Sequence, residues 1–417
     1  MDIIVTHDNI LLFVMAKPIG SACNLKCDYC YYLEKERMYQ GEQNSRMSDD
    51  LLERYIRNYI ESQPRPEVLF TWHGGEPLMR GLDFFKKAIK LQQYYSRVKG
   101  IRVDNSLQTN GTMLTDEWCE FFARNNFLIG VSLDGPAHCH NRYRLNRSGV
   151  GSHAKVLKGI QLMQKHKVEF NVPSVVNNYN VNYPLEVYNH FKEIGAQFIQ
   201  FTPIVERIAN DAIPQGMKLQ PLVPNCDCSL AEWSVDPLAY GRFLTAVFDE
   251  WIKNDVGKYY VINFDSTLAN WVGEQPSICI HAETCGHAMA MEHNGDVFAC
   301  DHFVFPEYKR GNIWEKPLLQ MLYAPEQIQF GKDKRDKLPT QCNDCEYLFA
   351  CNGECPKNRI VKTSNGEEGL NYLCAGFKYY FSHLAPYMDF MAEELKNKRP
   401  PANVMQWAKQ RDKFSRE

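Results

Sequence analysis

The chain has 417 residues, 44% hydrophobic and 23% charged, enough to bury a core of one large and one small domain and too apolar for disorder. A net charge of −3 lacks the basic footprint of a nucleic-acid binder, and no run approaches the ~18 apolar residues of a membrane span. The residues before position 10 hold Asp2 and Asp8 but no Lys or Arg, unlike a secretory signal, so a cytoplasmic chain with reduced thiols is expected.

In chain order, an apolar run predicts a first strand over 11–17. Further β-rich runs predict strands over 68–72, 102–108, 128–133, 169–176 and 198–203. Between them lie stretches with apolar residues three and four apart, which predict helices over 51–60, 84–95, 116–124, 153–165 and 185–194. Ser48 with Asp49 and Asp50 behind it makes a helix start for the first. Strand and helix alternating in one direction imply a parallel sheet with right-handed crossovers, and ligands then sit at the carboxyl ends of the strands. Periodicity leaves open whether the sheet closes.

Residues 208–235 read as a Pro- and Gln-rich connector, followed by a helix over 237–254, a strand over 259–264 and a helix to Trp271. An aromatic stretch over 379–395 predicts a closing helix, and the basic residues 396–416 a solvated helix end.

Fifteen cysteines without a signal peptide read as metal ligands or catalytic thiols. Cys23, Cys27 and Cys30 share one short loop after the first strand, with Tyr29 before the last. Three thiolates so placed hold three irons of a four-iron cluster and leave the fourth open to an outside ligand, whereas structural zinc wants four ligands. This Cys-x3-Cys-x2-Cys loop resembles the signature of the radical S-adenosylmethionine (SAM) enzymes. At the end of the second strand, His73-Gly74-Gly75-Glu76-Pro77 resembles the motif with which that superfamily grips the SAM amino group. Polar turns at 108–111 and 132–135 sit equivalently. Among Arg142, Arg144 and Arg147, one arginine suits a SAM carboxylate and the other two a solvated patch.

Eight more cysteines fall between 279 and 374: Cys279, Cys285, Cys300, Cys342, Cys345, Cys351, Cys355 and Cys374. The count serves two fully ligated four-iron clusters and equally two four-thiolate zinc sites. Their spacings, with Asn294-Gly295-Asp296-Val297, Cys300-Asp301-His302 and Gly311-Asn312-Ile313, are similar to the SPASM domain of the anaerobic sulfatase-maturating enzymes. That resemblance runs from about Leu11 to Tyr387.

The resemblance implies an α/β fold: a partial (β/α)6 radical SAM barrel over 1–206, a connector over 207–276, a small cysteine-rich iron–sulfur (SPASM) domain over 277–387, and a C-terminal helix and tail over 388–417. It implies three [4Fe-4S] clusters and SAM as cosubstrate. Cys279, Cys285, Cys300 and Cys355 would ligate the first auxiliary cluster, and Cys342, Cys345, Cys351 and Cys374 the second. Asp301 matches a general base, and Tyr29, Gly74, Ser132, Arg144 and Val205 match SAM contacts. Cys119, Cys139, Cys226 and Cys228 belong to no motif and are expected to be structural. The activity implied is oxidation of a Cys or Ser in a Cys/Ser-x-Pro-x-Arg segment of a sulfatase to Cα-formylglycine. The implied partners are an unfolded or nascent sulfatase and a reduced flavodoxin- or ferredoxin-type electron donor, with neither nucleic acid nor membrane. The alternative is another SPASM peptide maturase, forming thioether crosslinks. Such enzymes often carry an added N-terminal peptide-binding domain, for which a loop starting at Cys23 leaves little room.

Overall fold

The computed structural model describes residues 12–39, 46–210, 217–219 and 227–414. Six strands come first: β1 (Phe13–Ala16), β2 (Glu67–Trp72), β3 (Arg102–Thr109), β4 (Phe127–Val131), β5 (Phe170–Val176) and β6 (Phe198–Pro203). They pair in that order, all parallel, and β1 does not pair with β6. The barrel is therefore open, a partial (β/α)6 arrangement. Its helices are α1 (Asp49–Glu61), α2 (Leu82–Lys99), α3 (Asp116–Arg124), the short α4 (Ala137–His140), α5 (His153–Lys165) and α6 (Pro184–Glu193). As expected, Ser48 caps α1, its hydroxyl accepting from the Leu51 N–H at 3.2 Å.

Strand alternation sorts the side chains into two environments. Val68, Phe70 and Trp72 of β2 are buried against the helices, where Trp72 meets Tyr55, Phe84 and Phe85 edge-on. The opposite face looks into the barrel and is polar towards the strand ends. There Thr71 and Ser106 share a hydrogen bond of 2.8 Å, and Gln108 donates to Ser132 at 2.9 Å. A sheet face covered with hydroxyls and amides does not make a packed core; it lines a ligand cavity.

After β6, β7 (Arg207–Ala209) and β8 (Cys228–Leu230) form a separate antiparallel pair. Then α7 (Pro237–Asn254) leads to β9 (Tyr260–Val261), which pairs parallel with β6, and to α8 (Ile262–Trp271). The predicted strand over 259–264 is thus shortened to its first part. The cause is Asn263, whose side chain both accepts from the Phe201 N–H and donates to the Phe201 carbonyl at 2.9 Å, taking the place of further strand pairing as the helix begins.

On the far edge the sheet continues through β10 (Ala288–Met291), β11 (Asp296–Phe298) and β12 (Lys309–Asn312). β10 runs parallel to β1, and the Lys17 N–H extends the ladder to the Met291 carbonyl at 2.9 Å. One ten-stranded sheet therefore joins the cysteine loop that follows β1 to the turns of the cysteine-rich region.

The remaining helices are α9 (Leu318–Leu322), α10 (Pro325–Asp336), α11 (Thr340–Asn343), α12 (Leu348–Cys351), α13 (Cys374–Lys396) and α14 (Val404–Phe414). The basic tail is not a solvated end. Val404 and Ala408 of α14 are buried, and Trp407 stacks on Phe390 at 5.0 Å, so an apolar stripe outweighs the charges around it. α13 crosses α7 through two glycines. A methyl group on Gly376 would lie 1.9 Å from the Pro237 carbonyl oxygen, and one on Gly241 2.4 Å from the Gly376 carbonyl oxygen. This crossing sets the start of α13, where Cys374 stands. Gly376→Ala is accordingly expected to lower stability by about 3 kcal/mol. A denaturant melt of the variant matching that of the parent would contradict the crossing.

Candidate active site

The loop carrying Cys23, Cys27 and Cys30 is held from three sides. Lys26 and Asp28 donate their N–H groups to the carbonyls of Leu145 and Tyr143, at 2.8 and 3.1 Å. Arg147, although mostly exposed, reaches back to grip the Cys23 carbonyl with Nε at 3.2 Å and Nη2 at 2.9 Å. It is thus more than part of a solvated patch. On the third side, Gly75 donates to the Gly20 carbonyl at 2.8 Å, and a Cβ at Gly75 would stand 2.1 Å from the Ala22 carbonyl oxygen. The sequence suggested that these glycines admit a ligand. In the structure Gly75 admits the cysteine loop itself. Glu76 then bolts the second loop to the third: buried, it accepts from the Thr109 hydroxyl and the Asn110 N–H, each at 2.8 Å. Burial raises its carboxyl to about 7.

The residues matched to SAM contacts lie around this loop. Tyr29 donates its hydroxyl to Asp134, which also pairs with Arg144 Nε at 2.8 Å and accepts the Val175 N–H at 3.0 Å. Asp134, unassigned from sequence, therefore fixes both Tyr29 and Arg144 in a buried cluster. Ser132 takes the Gln108 amide on the barrel face. Gly74 has φ +123 and gives its N–H to His73 Nδ1. Val205 is buried, and its carbonyl receives Lys357 Nζ at 3.0 Å, while the same ammonium pairs with Glu206 at 2.5 Å. Lys357 comes from the cysteine-rich region, so this contact ties that region to the end of β6.

The eleven motif cysteines fall into three groups by mutual electrostatic influence. Cys23, Cys27 and Cys30 act on one another. Cys279, Cys285, Cys300 and Cys355 form a second group. Cys342, Cys345, Cys351 and Cys374 form a third. Burial pushes the Cys23 thiol up to about 11 and those of Cys27 and Cys351 to about 12, so losing their protons requires a compensating positive partner. Two buried cations stand ready beside the later groups. Lys334, fully buried, donates to the carbonyls of Cys279 at 2.7 Å and Ile280 at 2.9 Å and faces Cys279, Cys285 and Cys355. Arg359 faces Cys342, Cys351 and Cys355. Among the described residues no three of these side chains converge tightly enough for a single metal ion. Grouped thiols with buried cations beside them suit a larger, anionic iron–sulfur body.

Eight such thiols in under a hundred residues couple ligation to folding. Cys351→Ala is expected to lower soluble yield and heat resistance more than it lowers SAM cleavage per folded molecule. A variant as soluble and as heat-resistant as the parent would contradict this. Of the other cysteines, Cys119 and Cys139 are buried in the core, Cys228 stands on β8, and Cys226 lies outside the described residues.

Asp301 follows Cys300 in a short turn and lies at the carboxyl end of β1. One carboxylate oxygen pairs with the ammonium of Lys17 and the other accepts the Tyr31 hydroxyl. Lys17 is completely buried, 3.5 Å from the centroid of the Tyr32 ring, and Tyr32 in turn donates to Glu292 at 2.5 Å. Burial alone would raise the Asp301 carboxyl. Lys17, with His73 and His302 behind it, reverses this and holds it well below the usual carboxylate range. Sequence reasoning found Asp301 but neither Lys17 nor Tyr31. A lysine closing an otherwise apolar strand was the available signal for Lys17.

Residues 18–191 match the family model described as radical SAM superfamily, and residues 279–346 that described as an iron-sulfur cluster-binding domain, SPASM. The chain is 57% identical to a serine-type anaerobic sulfatase-maturating enzyme of Bacteroides thetaiotaomicron, over 94% of each chain. It is 30% identical to a cysteine-type anaerobic sulfatase-maturating enzyme of Clostridium perfringens, over 92% of this chain and 99% of that one. Its fold superposes on native anSMEcpe with bound AdoMet and Cp18Cys peptide with a TM-score of 0.80 at 30% identity, covering 92% of this chain and 99% of that chain. The chain belongs to the anaerobic sulfatase-maturating enzymes of the radical SAM superfamily.

Proposed function

We propose that this enzyme oxidises a serine within a Ser-x-Pro-x-Arg segment of a sulfatase to Cα-formylglycine, with the corresponding cysteine a poorer substrate. One observation carries the reading: a buried carboxylate, Asp301, stands between a three-thiol loop and an eight-thiol region in a chain 57% identical to a serine-type maturase. Cys23, Cys27 and Cys30 hold one [4Fe-4S] cluster. Cys279, Cys285, Cys300 and Cys355 hold a second, and Cys342, Cys345, Cys351 and Cys374 a third. Tyr29, Gly74, Ser132, Arg144 and Val205 bound the SAM site. When bound, the clusters and SAM supply a hydrogen-abstracting 5′-deoxyadenosyl radical and an acceptor for the second electron, leaving methionine and 5′-deoxyadenosine.

The chain's own groups place the target and remove its proton. A –CH2–OH side chain becomes an aldehyde by losing a hydrogen atom from Cβ, one electron, and the hydroxyl proton. Asp301 takes that proton. Lys17 and Tyr31 hold the carboxylate from both oxygens, so it is ionised and aimed before substrate arrives. The polar inner face of the sheet receives the peptide as an extended segment, which favours an unfolded or nascent sulfatase as substrate. A flavodoxin- or ferredoxin-type donor and a cytoplasmic setting belong to the same reading, because clusters and free thiols need a reducing compartment. No helix among the described residues is long and apolar enough to cross a membrane.

Anaerobic incubation with SAM, a strong reductant and paired peptides differing only in Ser or Cys at the target position tests the reading. Mass spectrometry should find loss of two hydrogens and capture of the product by a hydrazine, faster for Ser. Loss of two hydrogens with no hydrazine-reactive product would instead mark a crosslinking maturase.

A further inference from the structure

His73 is buried beside the proposed base and has no part in the mechanism above. It ends β2, and its N–H bonds to the Ala16 carbonyl at 2.8 Å. The β1–β2 register pairs Ala16 with Trp72, so the next residues, Lys17 and His73, are neighbours across the two strands. Trp72 packs outward against the helices, and alternation turns His73 to the barrel side, where Lys17 holds Asp301. His73 and Asp301 are close enough to act on each other's charge.

The imidazole has one orientation and one tautomer. Its Nδ1 accepts the Gly74 N–H at 2.7 Å, so in the neutral ring the proton sits on Nε2. Burial disfavours the imidazolium, and Lys17 beside it acts in the same direction. The cavity wall thus offers an anionic acceptor, Asp301, and next to it a neutral N–H donor.

A serine hydroxyl can use both at once, giving its proton to the carboxylate while its oxygen accepts from the imidazole. A cysteine sulfur accepts only weakly and can use one of the two. We propose that His73 is a specificity-determining contact: its Nε2–H donates to the Oγ of the target serine and turns the hydroxyl proton towards Asp301. The proposal deepens the reading above and rests on it.

The test uses the SAM-loaded, cluster-replete enzyme and the paired Ser and Cys peptides. His73→Leu removes the donor; His73→Gln can return an amide N–H near the Nε2 position. In His73→Leu, kcat/KM for the Ser peptide should fall roughly ten- to a hundredfold, the worth of one hydrogen bond in a buried site, while the Cys peptide changes less than about threefold. His73→Gln should restore most of the loss for Ser. A second readout needs no turnover: without reductant, the parent should bind the Ser peptide more tightly than one with Ala at that position, and His73→Leu should lose the difference. If His73→Leu does not fold, His73→Asn, whose amide stops short of Nε2, replaces it. Equal losses for Ser and Cys, or an unchanged Ser preference, overturn the role of His73 alone. A parent enzyme that oxidises neither peptide removes the underlying reading and this inference with it.

Discussion

Replacing Cys23, Cys27 and Cys30 together by Ala is expected to abolish SAM cleavage while the C-terminal region keeps its iron. The three thiols occupy one loop after β1, and the other eight motif cysteines act on one another in two separate groups. The loop's support survives the change, because Lys26, Asp28 and the Cys23 carbonyl are held through the backbone. The variant should therefore fold, retain about two thirds of the parent's iron, and form no 5′-deoxyadenosine above background. Iron assay and chromatography of the reaction read the two quantities independently. Continued 5′-deoxyadenosine formation would remove the loop from its assigned place, and loss of all iron would show that the thiol groups do not bind independently.

Asp301→Asn should uncouple SAM cleavage from aldehyde formation. The amide is nearly isosteric and can still accept from Tyr31, but it cannot take a proton near neutral pH and it leaves the buried Lys17 ammonium without its counter-charge. Part of any loss is therefore structural, and normalising to folded, cluster-replete protein separates the two. Loss of a general base typically costs ~10²–10⁴-fold, and formylglycine should fall by that order. Hydrogen abstraction from Cβ does not need the carboxylate, so some 5′-deoxyadenosine should persist. Full aldehyde yield from a cluster-replete variant would take Asp301 out of the mechanism.

The strands and helices of the barrel were legible because their periodicity is local. The predicted helices over 116–124, 153–165 and 237–254 and the strand over 198–203 recur with the same bounds. The strand over 259–264 was misread because Asn263 bonds to Phe201 across the chain, a tertiary contact that composition does not reveal. The tail was misread for the opposite reason: its charges are conspicuous, and the narrow stripe of Val404, Trp407 and Ala408 that seats it is not.

The thiol sets were legible from spacing and resemblance. The groups that serve them were not. Lys17 meets Asp301 only because β10 pairs with β1, and Lys334 reaches its thiol set only because α10 folds against the Cys279 turn. Asp134, which fixes Tyr29 and Arg144, read as an ordinary turn residue. In each case the sequence displayed the residue and hid its partner.

The central claim is that this chain takes a hydrogen from the Cβ of a target serine and turns that carbon into an aldehyde. A Ser-x-Pro-x-Arg peptide carrying deuterium at both Cβ positions, incubated anaerobically with enzyme, SAM and reductant, tests it most directly. Deuterium should appear in 5′-deoxyadenosine and in step with a hydrazine-reactive peptide that keeps one deuterium. Aldehyde without label in 5′-deoxyadenosine, or labelled 5′-deoxyadenosine with no aldehyde at any time, would contradict the account.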